Sequence, residues 1–175
     1  MSQKFIYQYG KDLLEKDSTI KSNRIYFNFD TDKINKLDIT QQYNTSPFLS
    51  EIIDKNNLPI ISGFTSKIFF KLCSPGQSMG WHQDDIAVYK NSKKNITQEN
   101  PDQFTLYTKK APKYSMVMYM NTYGIDFEGG EFCFTDINIK PNQGMGIFFD
   151  SRDVHKITEV KSGLRKSCVV KFYEK

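Results

Sequence analysis

The chain holds only two histidines among its 175 residues, and one of them stands in Gly80-Trp81-His82-Gln83-Asp84-Asp85. In an extended strand, residues i and i+2 point to the same face. His82 and Asp84 can therefore offer an imidazole and a carboxylate to one metal ion. The pair alone is weak evidence, because a triplet of the form His-x-Asp also arises by chance. His155, the second histidine, ends Phe148-Phe149-Asp150-Ser151-Arg152-Asp153-Val154-His155. Two imidazoles and one carboxylate on one face of an octahedron leave positions open, and that is the donor set of non-haem Fe(II) oxygenases. Taken singly, a histidine is more often an ordinary surface or core residue. The metal reading requires a fold that brings His82, Asp84 and His155 together.

Ten residues after His155 comes Arg165, in Ser162-Gly163-Leu164-Arg165-Lys166-Ser167, followed by the apolar Cys168-Val169-Val170. A guanidinium is costly to bury without a partner. A dicarboxylate cosubstrate would supply one, because the guanidinium fork matches a carboxylate bidentately. Ser167 shares that strand face and can add a hydrogen bond. The alternative is an Arg165 that keeps its head in water at a sheet edge.

Such a site needs distant strands to converge on one interior. From residue 66 onward, short β-rich runs follow one another at 66–73, 79–85, 104–108, 114–121, 130–135, 145–150, 153–158 and 164–173, with turn residues such as Pro141-Asn142-Gln143-Gly144 between them. Serial short strands predict a mainly β sandwich, barrel or jelly roll. Before them, Arg24-Ile25-Tyr26-Phe27-Asn28-Phe29 reads as a strand. Ser46 followed by Pro47 predicts a helix over 47–55, with serine as N-cap and proline at the first helical position. The segment 86–113 is long, polar and rich in Lys and Asn, as expected of a lid or binding loop, or equally of a surface loop.

Composition fits one domain over 1–175, with 1–63 as an N-terminal support region and 64–175 as the jelly-roll core. Hydrophobic residues make up 38% of the chain, so it should fold rather than stay disordered. A net charge of +4 with scattered lysines does not point to nucleic acid. The first residues lack an apolar signal core, and no run reaches membrane-spanning length. Three cysteines, Cys73, Cys133 and Cys168, show no C-x-x-C spacing and read as reduced thiols of an intracellular, cytoplasmic protein.

The stretch 73–173 resembles the 2-oxoglutarate and Fe(II)-dependent dioxygenase superfamily, and within it the prolyl 4-hydroxylase-like branch. The residues that carry the resemblance are Ser74-Pro75-Gly76-Gln77 leading into His82-Gln83-Asp84, then Val117-Met118-Tyr119-Met120-Asn121, then Phe127-Glu128-Gly129-Gly130-Glu131-Phe132-Cys133-Phe134. Lys140-Pro141 through Gly144, Gly146 and Phe148 continue it, as do His155 through Glu159-Val160, Gly163 and Arg165. The resemblance implies a double-stranded β-helix (a cupin-like jelly roll) with the N-terminal helix and strand packed on it. It implies Fe(II) held by His82, Asp84 and His155, and 2-oxoglutarate held by Arg165 with help from the Tyr119 hydroxyl. Tyr119 also reads as a core aromatic. The implied reaction is hydroxylation of a C–H bond, a prolyl or other residue of a peptide or protein, with release of succinate and carbon dioxide and with ascorbate as an auxiliary. Gly129 and Gly130 read as a tight turn or bulge.

One position departs from the pattern. Where the family often carries a tyrosine three residues before the matching glycine, this chain has Cys73. The lost hydrogen bond needs a replacement from Trp81 or from a lid residue. Three other readings remain, the weakest a metal hydrolase, because no spare glutamate sits beside the ligands as general base. Arg165-x-Ser167 with Lys171 is faintly similar to the arginine strand of nucleic-acid demethylases in the same superfamily, although the Gly129-Gly130-Glu131 block favours the hydroxylase branch. From another class, the chain could be a non-catalytic cupin-like binding module.

Overall fold

The computed structural model describes residues 24–84 and 111–175. The strand expected over 104–108, and the 86–113 segment apart from its last three residues, lie outside them. Described are strands β1 Ile25–Asn28, β2 Phe64–Cys73, β3 Met79–His82, β4 Tyr114–Tyr119, β5 Phe127–Gly129, β6 Phe132–Phe134, β7 Asn138–Ile139, β8 Met145–Asp150, β9 His155–Ile157, β10 Val160–Gly163 and β11 Arg165–Glu174. Helix α1 spans Thr31–Ile34 and α2 spans Pro47–Lys55.

The ten-residue β11 organises the major sheet, whose antiparallel strand order is β1-β8-β4-β11-β2. Side chains alternate across a strand, and the two faces of β11 do different things. Cys168, Val170 and Phe172 point outward and join Met116, Met118 and Phe148 in a core closed by the N-terminal layer. In that layer Leu49, Ile52 and Ile53 of α2 are buried, at the spacing of one helix face. The helix begins where expected: the Ser46 hydroxyl accepts the Leu49 N–H at 3.4 Å and Pro47 opens the first turn. Helix α1 is one turn long, capped by Asp30 accepting the Asp32 N–H at 2.9 Å, and is too short to leave a periodic signature.

On the inner face the major sheet meets a second one, ordered β3-β9-β6-β7. Val117, Tyr119, Ile147, Phe149 and Val169 of the first pack with Phe132, Phe134, Ile139 and Ile157 of the second. Phe149 bridges the sheets, 5.7 Å from Phe132 and 5.3 Å from Phe134 between ring centroids. Two antiparallel sheets closing face to face give the jelly roll expected from the serial strands. A separate two-stranded pair, β5 with β10, was not anticipated. The run expected over 130–135 is narrower, because Gly129 and Gly130 take φ of +70° and +63° and separate β5 from β6. No helix among the described residues is long and apolar enough to cross a membrane. All three cysteines are buried free thiols, and burial pushes the Cys168 thiol up to about 12.

The N-terminal strand docks through a shape match. Phe27 of β1 pairs with Gly146 of β8, and a Cβ on Gly146 would stand 2.2 Å from the Phe27 ring. Gly146→Ala should therefore overpack the β1–β8 contact and destabilise the fold by about 1–3 kcal/mol. Guanidinium unfolding with an unchanged m value checks this.

Candidate metal centre and anion pocket

The two histidines face each other across adjacent strands. His82 of β3 pairs with His155 of β9, and their ring centroids are 4.2 Å apart. Each ring is fixed by its own backbone: His82 Nδ1 donates to the Gly80 carbonyl and His155 Nδ1 to the Asp153 carbonyl, both at 2.7 Å. Carbonyls only accept, so Nδ1 carries a proton in each ring and Nε2 is the nitrogen left to serve as a metal donor. Those nitrogens flank Asp84, at 3.6 Å from His82 Nε2 to Oδ1 and 3.7 Å from His155 Nε2 to Oδ2. One ligand atom from each of the three residues lies within 4.8 Å of the others.

Asp84 reaches this place differently from the strand expectation. β3 ends at His82 instead of running to residue 85, because its partner β9 starts at His155. Asp84 is held beyond the strand by its N–H donating to the Ser151 carbonyl at 2.7 Å. Its Oδ2 accepts the Ser115 hydroxyl at 2.7 Å and the Lys171 ammonium. Ser115 in turn shares a hydrogen bond with Ser151 at 2.9 Å.

The electrostatics suit a cation. Burial works against ionisation of Asp84, yet His82, Lys171 and His155 hold its carboxyl well below the usual carboxylate range. Burial pushes the His155 imidazole down to about 3, and neighbouring His82 adds to the effect. His155 is packed among aromatic rings, stacked on Phe132 at 5.1 Å and edge-on to Phe149 at 5.0 Å. It is neutral at physiological pH, as a metal ligand must be.

The same cleft, about 130 Å³ in volume, continues from the triad to Arg165 and Ser167. Arg165 is fully buried. Its Nε donates to the Gly130 carbonyl at 3.0 Å and its Nη1 to Ser167 Oγ at 3.3 Å. Its Nη2 has no acceptor among the described residues, and neither does the Tyr119 hydroxyl beside it, whose ring centroid lies 5.2 Å from the guanidinium carbon. Burial pushes that hydroxyl up to about 12 while the guanidinium pulls it down, so it is protonated and able to donate. Two buried donors without an acceptor are what a missing carboxylate would leave behind. Arg165 is thus no sheet-edge arginine with its head in water.

The comparisons with known proteins agree with this geometry. Residues 68–174 match the model of the 2OG-Fe(II) oxygenase superfamily. The chain belongs to that superfamily. A PKHD-type hydroxylase of Prochlorococcus marinus is 29% identical over 177 residues, covering 96% of this chain and 66% of the relative's own length. Two solved structures share the fold at low identity. A Pseudomonas putida prolyl-4-hydroxylase has a TM-score of 0.57 at 15% identity, covering 97% of this chain and 92% of its own. The viral collagen prolyl hydroxylase of Paramecium bursaria Chlorella virus-1 in its 2OG complex has a TM-score of 0.52 at 18% identity, covering 100% and 92%. The double-stranded β-helix and the 2-oxoglutarate and Fe(II)-dependent oxygenase superfamily expected from the sequence are both borne out.

Three polar residues of the site were not singled out in the sequence: Ser115 and Ser151, which hold the Asp84 carboxylate in place, and Lys71, which lines the cleft from β2. Lys171, noted only for its likeness to a demethylase strand, sits on Asp84. Strand alternation already hinted at this, since Lys171 stands six residues from Arg165 and so on the same face. Trp81, one candidate to replace the absent tyrosine at Cys73, lies on the opposite face of β3 from His82, with Lys156 Nζ 4.6 Å over its ring, and does not line the cleft.

The triad should bind one divalent ion. His82→Ala, Asp84→Ala or His155→Ala should each weaken anaerobic Fe(II) or Co(II) binding beyond the roughly 10–100-fold typical of losing a hydrogen bond to a ligand. Calorimetric titration, with circular dichroism to confirm the fold, measures it. Wild-type affinity in any one variant would remove that residue from the ligand set.

Proposed function

We propose that this chain is a dioxygenase that holds Fe(II) through His82, Asp84 and His155 and 2-oxoglutarate through Arg165, Tyr119 and Ser167, and hydroxylates a C–H bond of a peptide or protein, a prolyl residue foremost. The observation that carries this reading is the pair of buried donors, Arg165 Nη2 and Tyr119 Oη, left without an acceptor beside the His-Asp-His cluster. A dicarboxylate placed between them and a metal would satisfy both ends of the cleft. The donor set fits Fe(II): two imidazoles and one ionised carboxylate, with room for further ligands.

When bound, iron and the 2-oxo acid supply the oxidative chemistry, in which dioxygen places one oxygen atom in the substrate and the other in succinate as carbon dioxide leaves. The chain's own residues bind, orient and shield. The Gly80 and Asp153 carbonyls fix the orientation of both imidazoles, and burial keeps His155 neutral. Ser115 and Lys171 hold Asp84 by Oδ2, so that Oδ1 faces His82. Phe132 and Phe149 wall off water around His155. The Arg165 fork sets the register of the acid, because a planar guanidinium already fixed by Gly130 and Ser167 can turn in few other directions.

The cleft has room for a small acid, so a peptide would lie at its mouth. The named activities of the relatives support a peptidyl substrate for this chain, and ascorbate and a cytoplasmic location are carried by the reading of the sequence alone. A panel of prolyl peptides, alkylated oligonucleotides and free amino acids, scored by succinate release and a mass gain of about 16 from one oxygen atom, tests the reading. Turnover on peptide supports it; turnover on alkylated bases moves the chain to the demethylases. Absence of any iron-dependent succinate formation would make it a binding module.

Arg165 gives the cosubstrate test. Lysine keeps the charge but not the fork, and glutamine keeps neither. The apparent Michaelis constant for 2-oxoglutarate should rise from wild type to Arg165→Lys to Arg165→Gln, the last by roughly tenfold to a hundredfold for one charge-assisted hydrogen bond. An unchanged constant in Arg165→Gln would place the carboxylate elsewhere.

A further inference from the structure

The cleft contains a cation that the proposed reaction has not used. Lys71 is on the inner face of β2, opposite Ser167 of β11, which in turn stands opposite Tyr119 of β4. One row across three strands therefore reads Lys71, Ser167, Tyr119, with Arg165 in the next row. Lys71 lines the cleft together with Arg165 and the triad. That lining has Arg165 at one end and Asp84 with Lys171 at the other, and Lys71 stands in the same cleft as both.

Its surroundings do not satisfy it. The ammonium's hydrogen-bond acceptor among the described residues is the Met79 thioether at 3.7 Å, and sulfur is a weak acceptor. No carboxylate among the described residues pairs with it; Asp84 is taken by Lys171. Burial lowers its pKa, which means the charged form is held there at a cost. β2 is the edge strand of its sheet, and a lysine on an edge ordinarily extends its head into water. This one turns into the cleft.

Resting on the reading above, we propose that Lys71 recognises the carboxylate at the 2-oxo end of the cosubstrate, so that the cleft selects an acid charged at both ends. A 2-oxo acid that chelates a metal uses the oxo oxygen and one carboxylate oxygen, and the second carboxylate oxygen is left needing a donor. Arg165 and Tyr119 serve the far carboxylate, and Lys71 serves the near one. In a chain with Cys73 on the same strand face, this lysine supplies the contact that neither Cys73 nor Trp81 can make.

The test is binding of 2-oxoglutarate, and of 2-oxovalerate, which lacks the far carboxylate, to the Fe(II)-loaded protein under anaerobic conditions by calorimetry. Lys71→Met should weaken both acids by a similar factor, roughly tenfold to a hundredfold, and Lys71→Arg should restore most of the loss. Arg165→Gln should weaken 2-oxoglutarate alone, and in the double variant the two losses on 2-oxoglutarate should multiply. The metal-free Lys71→Met protein should melt at or above the wild-type temperature, because an unpaired half-buried charge has been removed. The proposal fails if Lys71→Met binds 2-oxoglutarate as wild type does, if the double variant is no worse than Arg165→Gln, or if the metal-free variant melts lower and Lys71→Arg restores nothing. Failure of the wild-type protein to bind 2-oxoglutarate would overturn the cosubstrate reading itself, and Lys71's role with it.

Discussion

A guanidinium shut away from water governs the inner half of this molecule. Burying the Arg165 charge is tolerable only where its donors meet acceptors, and the strands around it are arranged to supply them. Gly130 offers its carbonyl to Nε and could not be any larger residue: a Cβ there would stand 2.9 Å from the arginine's own Cδ, and its φ of +63° already favours glycine. Ser167 supplies a second acceptor from two residues along the same strand. No carboxylate among the described residues completes the set. Among the described residues the fold thus carries a charge whose last donor has no acceptor, and that single deficit links the β5–β6 glycines to the register of β11.

Holding β11 in register requires both faces of the major sheet to be covered. The inner face is closed by the second sheet, and the outer face by the N-terminal segment that carries α1 and α2. This segment also touches the candidate metal centre. Arg24 makes a two-pronged ion pair with Asp153, at 2.6 and 3.0 Å, and reaches Asp136 at 2.5 Å, with its guanidinium carbon 3.7 Å above the Phe134 ring. The Asp153 carbonyl is what fixes the His155 ring. The segment ahead of the jelly roll therefore braces the turn that leads into His155 as well as shielding apolar surface.

At the other end of the cleft the electrostatics are set before any ion arrives. Asp84 is stabilised as an anion by Lys171 and by the Ser115 hydroxyl, on Oδ2, and burial keeps His155 neutral. Asp84 and His155 are then already in the protonation states that a divalent cation would require. The row of cations, Lys171, Lys71 and Arg165, runs along one face from this anion to the buried guanidinium, and a dianionic acid is its electrostatic complement.

Much of this was legible in the residues. The His-x-Asp pair, the second histidine and the arginine ten residues beyond it stood out as candidates, because metal donors and a buried fork are rare residue types whose spacing carries information, and the fold brings them to one cleft. Helix α2 was legible to the residue from Ser46 and Pro47, since capping is local. What local chemistry does not encode is how strands meet. That β3 stops at His82, with Asp84 held by the backbone of Ser151, follows from where β9 begins seventy residues away. One-turn α1 and the β5–β10 pair were too short to show a period. That Lys71 turns inward while Trp81 turns outward was decided by the register of β2 on β11 and of β3 on β9. Residue type sets which groups can bind iron or an acid; only the pairing of distant strands decides which of them share one cavity.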